Sequence, residues 1–226
     1  SQNPSFESLS TASHQSAVSL ASTRARSTAF LEVSQKHLEL QKLLDALPLF
    51  LNPAFSQALP SAKAQFQKIL SEKTSAMVSS LQGVEDQDFV SLKESLLQLG
   101  SEATNPRDIP GILFQIDGYL LKLGQNLLQN AAYQPEVALP KNQLEAAYLL
   151  IQQLKTQDFS NNPSGLQNLL KDLGQVLELE NDPGHEVFDK VLEDAKRVSD
   201  KESLSLVLPD LGNFFQSVLL RKDGRV

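Results

Sequence analysis

The stretch from residue 108 to residue 132, DIPGILFQIDGYLLKLGQNLLQNAA, constrains the fold more than any other part of the chain. Asp108 is a favourable N-cap, and Pro110 falls in the first turn, where a missing N–H costs little. Apolar residues recur there at helical spacing: Ile109, Ile112, Leu113, Ile116, Leu120, Leu123 and Leu127. Further apolar side chains extend the stripe around most of the circumference, and such a helix is normally buried among others. We therefore predict a buried central helix.

Apolar residues recur every three or four positions along the rest of the chain as well. No segment of useful length alternates apolar and polar residues with β-branched side chains, as a strand would. Residues 5–46 are predicted to form one long helix or two in line. Pro and Gly residues separate the helices that follow. The predicted fold class is an all-α, multi-helix bundle of eight to ten helices with a long N-terminal helix.

The predicted domain organisation has two parts. Residues 1–50 form the long N-terminal helical segment, and residues 51–226 form the body of the bundle. The first half of the N-terminal segment is rich in Ser, Ala and Thr, which allow close helix approach but make a weak isolated helix. Residues 1–50 are therefore a candidate dimerisation element.

Two segments of the body, residues 87–132 and 157–199, share short motifs at offsets of about 70 residues. One explanation is a duplicated helical hairpin. The other is coincidence in a chain of Leu- and Gln-rich helices. Unrelated helix directions on superposition would exclude the duplication.

The composition excludes several classes of function. A net charge of −7 without a basic stripe argues against a nucleic-acid groove. The absence of cysteine excludes disulfides, thiolate metal sites and a cysteine nucleophile. No apolar run approaches the roughly 20 residues of a membrane span, and no signal-peptide pattern is visible. We expect no integral membrane segment and a location either in the cytoplasm or outside the cell by a signal-peptide-independent route.

Among the histidines, His185 is the strongest candidate for chemistry. His185 and Asp189 are four residues apart, so they are able to face the same side of a helix. The second histidine of a zinc-protease motif is missing, however. His37 is expected on the flank of a helix. No metal site is predicted from these residues.

No glycine pattern in the sequence matches a phosphate-binding loop. There is no Walker-type loop, no strand followed by Gly-x-Gly-x-x-Gly and no nucleophile elbow. Gly111, Gly118 and Gly124 are spaced for a helix, and we interpret them as close contacts between crossing helices or as a kink. The sequence therefore predicts no catalytic residue, no cofactor and no enzyme.

Two pairs of phenylalanines are the candidates for an interaction surface. Phe50 and Phe55 flank a Pro-containing connector, and Phe214 and Phe215 are consecutive. Each pair either seals the core or presents a docking patch. Sealing is the commoner arrangement, because paired phenylalanines rarely remain exposed.

Long helices without a reactive cluster favour a non-enzymatic protein–protein interaction or oligomerisation domain. The composition, rich in Ser, Gln, Leu and Ala and free of Cys, resembles that of domains from bacterial secreted effectors. This resemblance implies a protein partner, such as a host cytoskeletal or regulatory protein, and a homodimer is a further candidate assembly. The alternative is a carrier whose bundle encloses a lipid or other apolar ligand. A closed core around Leu120 and Leu123 would argue against the carrier.

Overall fold

A computed structural model describes residues 6–84, 86–127, 137–198 and 201–224, with side chains for 24–84, 86–124, 137–198 and 202–224. Every regular element in these ranges is helical, which confirms the all-α prediction and the predicted number of helices. The ten α-helices are α1 Phe6–Leu43, α2 Leu47–Leu51, α3 Pro53–Ala58, α4 Pro60–Ser80, α5 Gln87–Leu99, α6 Ile109–Leu127, α7 Lys141–Thr156, α8 Pro163–Val176, α9 His185–Ala195 and α10 Lys201–Lys222. Short 3-10 turns precede α2, α6 and α9.

Three Asn–Pro pairs begin helical segments by the same chemistry. The side-chain oxygen of Asn52 accepts a hydrogen bond from the backbone N–H of Ala54 at 3.0 Å. Asn105 and Asn162 do the same for backbone N–H groups two and three residues further on. The following proline occupies a position whose N–H would be unpaired anyway. The cap predicted at Asp108 lies instead at Asn105, which begins the 3-10 turn that contains Asp108 and leads into α6.

Helices α1, α4, α5 and α6 form a four-helix arrangement. α1 packs against α4 and α6, and α5 lies between α4 and α6. Within this arrangement α1 runs without interruption from Phe6 to Leu43, which confirms the long N-terminal helix. Its buried side chains recur at helical spacing: Phe30, Val33, Leu40 and Leu43.

The second half of the chain continues from the outer side of α4. α9 packs against α4, α8 lies between α9 and α7, and α10 packs on α7 and crosses α2 and α3. One continuous hydrophobic core runs from Ala29 to Val218. A boundary at residue 50 therefore does not separate two cores, and the role of residues 1–50 in dimerisation stays a prediction.

The segments 87–132 and 157–199 differ in their packing partners. α5 and α6 pack mainly on each other, whereas α8 packs mainly on α7 and α9 mainly on α4. A duplicated hairpin would be expected to keep its internal packing. The arrangement gives the duplication no support, and superposition of the two segments remains its test.

The end of α10 is fixed by a buried cluster of charges, here called the ion cluster. Arg221 donates to Asp45 at 2.7 Å and to Asp182 at 2.8 Å. The ammonium group of Lys222 lies 3.2 Å from Asp182 and donates to the backbone carbonyl of Glu178. Asp182 and Lys222 are both buried, so each charge depends on its partners. The cluster joins the turn after α1, the turn before α9 and the end of α10.

α10 also contains a long apolar segment. The part from Glu202 to Lys222 is long and apolar enough, by length and composition, to cross a membrane. A buried helix of a packed core has the same composition, and here six of its apolar side chains are buried against neighbouring helices: Leu204, Val207, Leu211, Phe214, Phe215 and Val218. Pro209 lies inside this helix.

The expectation of a buried central helix is correct for only one face of α6. Its stripe of Ile109, Ile112, Ile116, Leu120 and Leu123 is buried. On the opposite face, Phe114 is 80% exposed and Leu121 is 66% exposed. The prediction failed because, in the part of the chain that the structure describes, helices pack on α6 from one side only, α5 and α1. The apolar circumference of α6 is therefore divided into a buried face and an exposed face.

Candidate interaction surfaces

The four phenylalanines proposed as an interaction surface are core residues. The rings of Phe50 and Phe66 stack with centroids 4.7 Å apart, and Phe55 meets Phe50 edge-on at 5.7 Å. Phe214 and Phe215 lie side by side at 5.0 Å. All four candidates, Phe50, Phe55, Phe214 and Phe215, are buried. Both pairs therefore seal the core, and a docking surface has to be sought elsewhere.

An apolar groove lies between α7 and α10. The backbone N–H of Leu139 donates to the carbonyl of Lys222 at 2.9 Å, and Lys155 donates to Gln216 at 2.7 Å. These two contacts show that α7 and α10 run antiparallel. Between them lies a groove of about 790 Å³, here called the α7/α10 groove, whose apolar lining comes from Leu144, Tyr148, Leu149, Ile151, Leu219 and Leu220.

Several apolar side chains of the α7/α10 groove remain in solvent. Tyr148 is 55% exposed, Leu149 is 64% exposed and Leu220 is 49% exposed. The charged groups of the groove, Lys141, Glu145 and Asp223, lie where α7 begins and α10 ends. The groove is therefore apolar along its length and charged at one end. The sequence feature that points to this groove is the apolar stripe of α7, which is wider than its contact with the core requires.

A second exposed apolar surface lies on α6, opposite its buried stripe. Here called the α6 outer face, it consists of Gly111, Phe114, Gly118 and Leu121, all exposed. A Cβ atom built on Gly111 or Gly118 would meet nothing within 4 Å. These two glycines are therefore not contacts between crossing helices, and that interpretation was wrong for them. Gly124 does fit it, because its Cβ would lie 3.0 Å from the ring of Phe30.

His37 makes a polar contact with α6 that the sequence did not reveal. Its ring is buried, and Nε2 lies 2.6 Å from a carboxylate oxygen of Asp117 on α6. Nδ1 has no hydrogen-bond partner among the described residues. His37 thus joins α1 to α6 and does not lie on a solvated flank.

His185 lies at a polar cavity of about 550 Å³ between α1, α4 and the start of α9. Its Nδ1 pairs with the backbone carbonyl of Asp182 at 3.0 Å. The neighbouring Glu186 accepts from Gln65, and Lys73 on the opposite wall pairs with Glu39. Within the described residues, no group of three or more His, Cys, Asp or Glu side chains is arranged to hold a metal ion. The cavity combines both signs of charge, and Lys73 and Glu39 form an ion pair within its wall.

The central helix offers no cavity of the kind that the carrier hypothesis required. Leu120 and Leu123 are both buried in the core, and neither lines the polar cavity or the α7/α10 groove. A small cavity of about 20 Å³ touches α6 at Ile109. A carrier would therefore have to use the α7/α10 groove.

Comparison of the chain with protein-family models, with curated proteins and with solved structures found no match. The function is therefore inferred from the surfaces of the chain itself. Two of these surfaces expose large apolar side chains, the concave α7/α10 groove and the convex α6 outer face. Exposed apolar patches of this kind mark binding sites.

Proposed function

We propose that this chain is a non-enzymatic helical domain that binds a partner protein, and that the α7/α10 groove receives an amphipathic helix of that partner. The observation that carries the proposal is the exposure of Tyr148, Leu149 and Leu220 along one open groove. Large apolar side chains left in water across two neighbouring helices favour association with another apolar surface.

The form of the groove favours a helix as its occupant. It runs between two antiparallel helices, so an added helix would pack against both by placing its apolar residues between their side chains. A binding helix would carry apolar residues at positions i, i+3 or i+4, and i+7, the pattern of helix-in-groove recognition. Lys141, Glu145 and Asp223 at one end together carry a net negative charge, which favours basic residues at the matching end of the partner helix.

The proposal of binding in place of catalysis is supported by the chemistry of the polar cavity. His185 is held by a backbone carbonyl, and Glu186 is occupied by Gln65. Nucleophilic catalysis by a hydroxyl or a thiol needs such a group beside a base, and no described Ser, Thr or Cys lines this cavity. A host cytoskeletal or regulatory protein remains our hypothesis for the partner, from the composition of the chain.

A carrier function is the second candidate, and the size of the groove supports it. A volume of about 790 Å³ falls within the usual range of small-molecule sites, roughly 300–1,000 Å³. Such sites bury most of their ligand, however, and three apolar side chains of this groove are half or more exposed. The open form therefore favours the protein helix.

Selection of helical peptides tests the proposal directly. A display library of amphipathic helices would be selected on the wild-type chain, and the affinity of the enriched peptides measured by fluorescence anisotropy. We expect enriched peptides to have apolar residues at the stated spacing. Leu220→Glu should weaken their binding by roughly tenfold or more, since a charge would be placed in the apolar contact.

Leu206→Glu is the matched control. Leu206 lies on the same helix as Leu220 and has the same exposure, 49%, but lies outside the groove. Equal loss of peptide binding in the two variants, or no enrichment at all, would contradict the proposal. Binding of a fluorescent fatty acid that Leu220→Glu abolishes, without any selected peptide, would support the carrier instead.

A further inference from the structure

We propose that the α6 outer face pairs two copies of this chain by an antiparallel contact between their α6 helices. The inference is independent of the α7/α10 groove, which lies on other helices. It starts from Phe114 and Leu121, which are 80% and 66% exposed on a helix whose other face is fully occupied by the core. Exposure of two large apolar side chains on one helical face costs free energy unless another surface covers them.

The α6 outer face has the shape needed to cover itself. Phe114 and Leu121 are seven residues apart, and so are Gly111 and Gly118, which alternate with them along the face. Seven residues are almost two helical turns, so the four residues form one straight seam of large side chains and gaps. No neighbouring atom lies within 4 Å of a Cβ position on either glycine. Each gap is therefore open to a side chain from outside.

An antiparallel pair matches every large side chain with a gap. With the two-fold axis at the level of Ile116, residues equally distant from Ile116 on opposite sides face each other. Phe114 and Gly118 are each two residues from that level, and Gly111 and Leu121 are each five residues from it. Phe114 of one copy then packs on Gly118 of the second copy, and Leu121 packs on Gly111. In a parallel pair, like residues would meet and the two glycine levels would be left empty.

The charges beside the seam agree with the antiparallel arrangement on one edge. Lys122 of one copy lies within about two residues of the level of Asp108 of the second copy, close enough for a long side chain to reach. Both residues are exposed. Hydrogen bonding to Asp88, together with the attraction of that carboxylate, raises the pKa of Lys122, so the cation persists well above neutral pH.

The other edge provides a test of direction. The antiparallel pair brings Asp117 of the two copies near one another, whereas a parallel pair would place Asp117 near Lys122 of the second copy. Asp117 already accepts from His37 within its own chain. Asp117→Asn keeps an oxygen for His37 and removes the charge. It should therefore tighten an antiparallel dimer and weaken a parallel one.

The size of the contact sets the expected strength. α6 has 19 residues, so the contact extends over about 28 Å at about 1.5 Å per residue. One helix per copy buries less than the area of a standard stable interface, so we expect a reversible dimer that forms as concentration rises. Sedimentation equilibrium up to millimolar concentration measures the dissociation constant of this dimer.

Gly118→Leu separates specific pairing from general adhesion. An added leucine enlarges the exposed apolar surface, so non-specific association would increase, but it fills the gap that Phe114 of the second copy enters. We expect Gly118→Leu and Phe114→Ser each to weaken the dimer by roughly 30-fold or more. Leu97→Ser is the control, since Leu97 is 56% exposed on α5, away from the seam, and should leave the dissociation constant unchanged.

Three results would overturn the inference. One is a monomeric mass over the whole concentration range. Another is association that Gly118→Leu leaves unchanged or strengthens. The third is a dimer that deletion of residues 1–23 abolishes and Phe114→Ser does not affect, which would assign pairing to the N-terminal segment. Circular dichroism melting of each variant at low concentration confirms that the monomer is folded.

Discussion

Helices α6 and α10 are both long and rich in apolar residues, yet the structure uses them differently. α10 is contacted by α7 on one side and by α2 and α3 on another, and Phe214 and Phe215 are both buried. Among the described residues, α6 is contacted by helices on one side only, α5 and α1, and Phe114 remains 80% exposed. The comparison shows that the apolar content of a helix predicts how much surface it needs to cover. Whether its own chain provides that cover depends on the number of elements that the topology places around it.

The largest contrast is expected from removal of a buried ring in α10. Phe215 is fully buried and meets Phe188 edge-on at 5.7 Å. Phe215→Ala should lower the free energy of unfolding by about 3–5 kcal/mol, because apolar contacts are lost and a cavity is left. Urea denaturation followed by circular dichroism measures this. A loss as small as that of an exposed residue would contradict the surrounded position of α10.

The ion cluster at the end of α10 should give the next largest effect. Asp182→Asn removes one carboxylate from the surroundings of Arg221 and of the buried Lys222. We therefore expect the free energy of unfolding to fall by about 3 kcal/mol. Asp88→Asn is the matched control, since the Lys122–Asp88 pair beside α6 is solvent-exposed. Its removal should leave stability almost unchanged. Equal losses in the two variants would show that the cluster does not fix α10.

Glycine substitutions should give opposite signs in open and packed positions. Gly118→Ala on α6 meets no neighbour, so it should raise the free energy of unfolding by about 0.5–1 kcal/mol through lower backbone entropy in the unfolded chain. Gly174→Ala on α8 would place Cβ 2.7 Å from the ring of Phe188 and should lower stability by about 1–3 kcal/mol. Thermal melting at low protein concentration, where the monomer predominates, compares the two. Loss of stability in Gly118→Ala would mean that the α6 outer face is covered within the monomer.

The smallest change is expected from Phe114→Ala. A side chain that is 80% exposed contributes little to the core, so the free energy of unfolding should change by no more than about 0.5 kcal/mol. The same denaturation experiment used for Phe215→Ala measures it. A loss of several kcal/mol would remove the contrast between the two helices.

These contrasts also mark the limit of prediction from the sequence. The spacing of Ile112, Ile116 and Leu120 correctly predicted which face of α6 is buried. The same spacing gave no information on the number of neighbouring helices, so the exposure of Phe114 was not foreseen. For Phe214 and Phe215, the general tendency of paired rings to be buried gave the correct alternative.

Polar contacts were harder to predict because their partners are far apart in the chain. His37 meets Asp117, 80 residues away, and Arg221 meets Asp45, 176 residues away. A single sequence carries no signal for such pairs, because each of these residues, taken alone, is typical of the solvated face of a helix. The α7/α10 groove has the same origin: each of its two walls was predictable as an apolar helical face, but their side-by-side position was not.

The ion cluster has a consequence for how the chain acquires its structure. Asp45 belongs to the first quarter of the sequence, whereas Arg221 and Lys222 come near residue 226. During synthesis, the helices α1 to α6 have most of their packing partners long before these two cations have left the ribosome. Until then, Asp45 and Asp182 lack these two cations. We therefore expect closure of the cluster to be a late step in folding, and nascent chains that stop before residue 221 to leave α10 undocked.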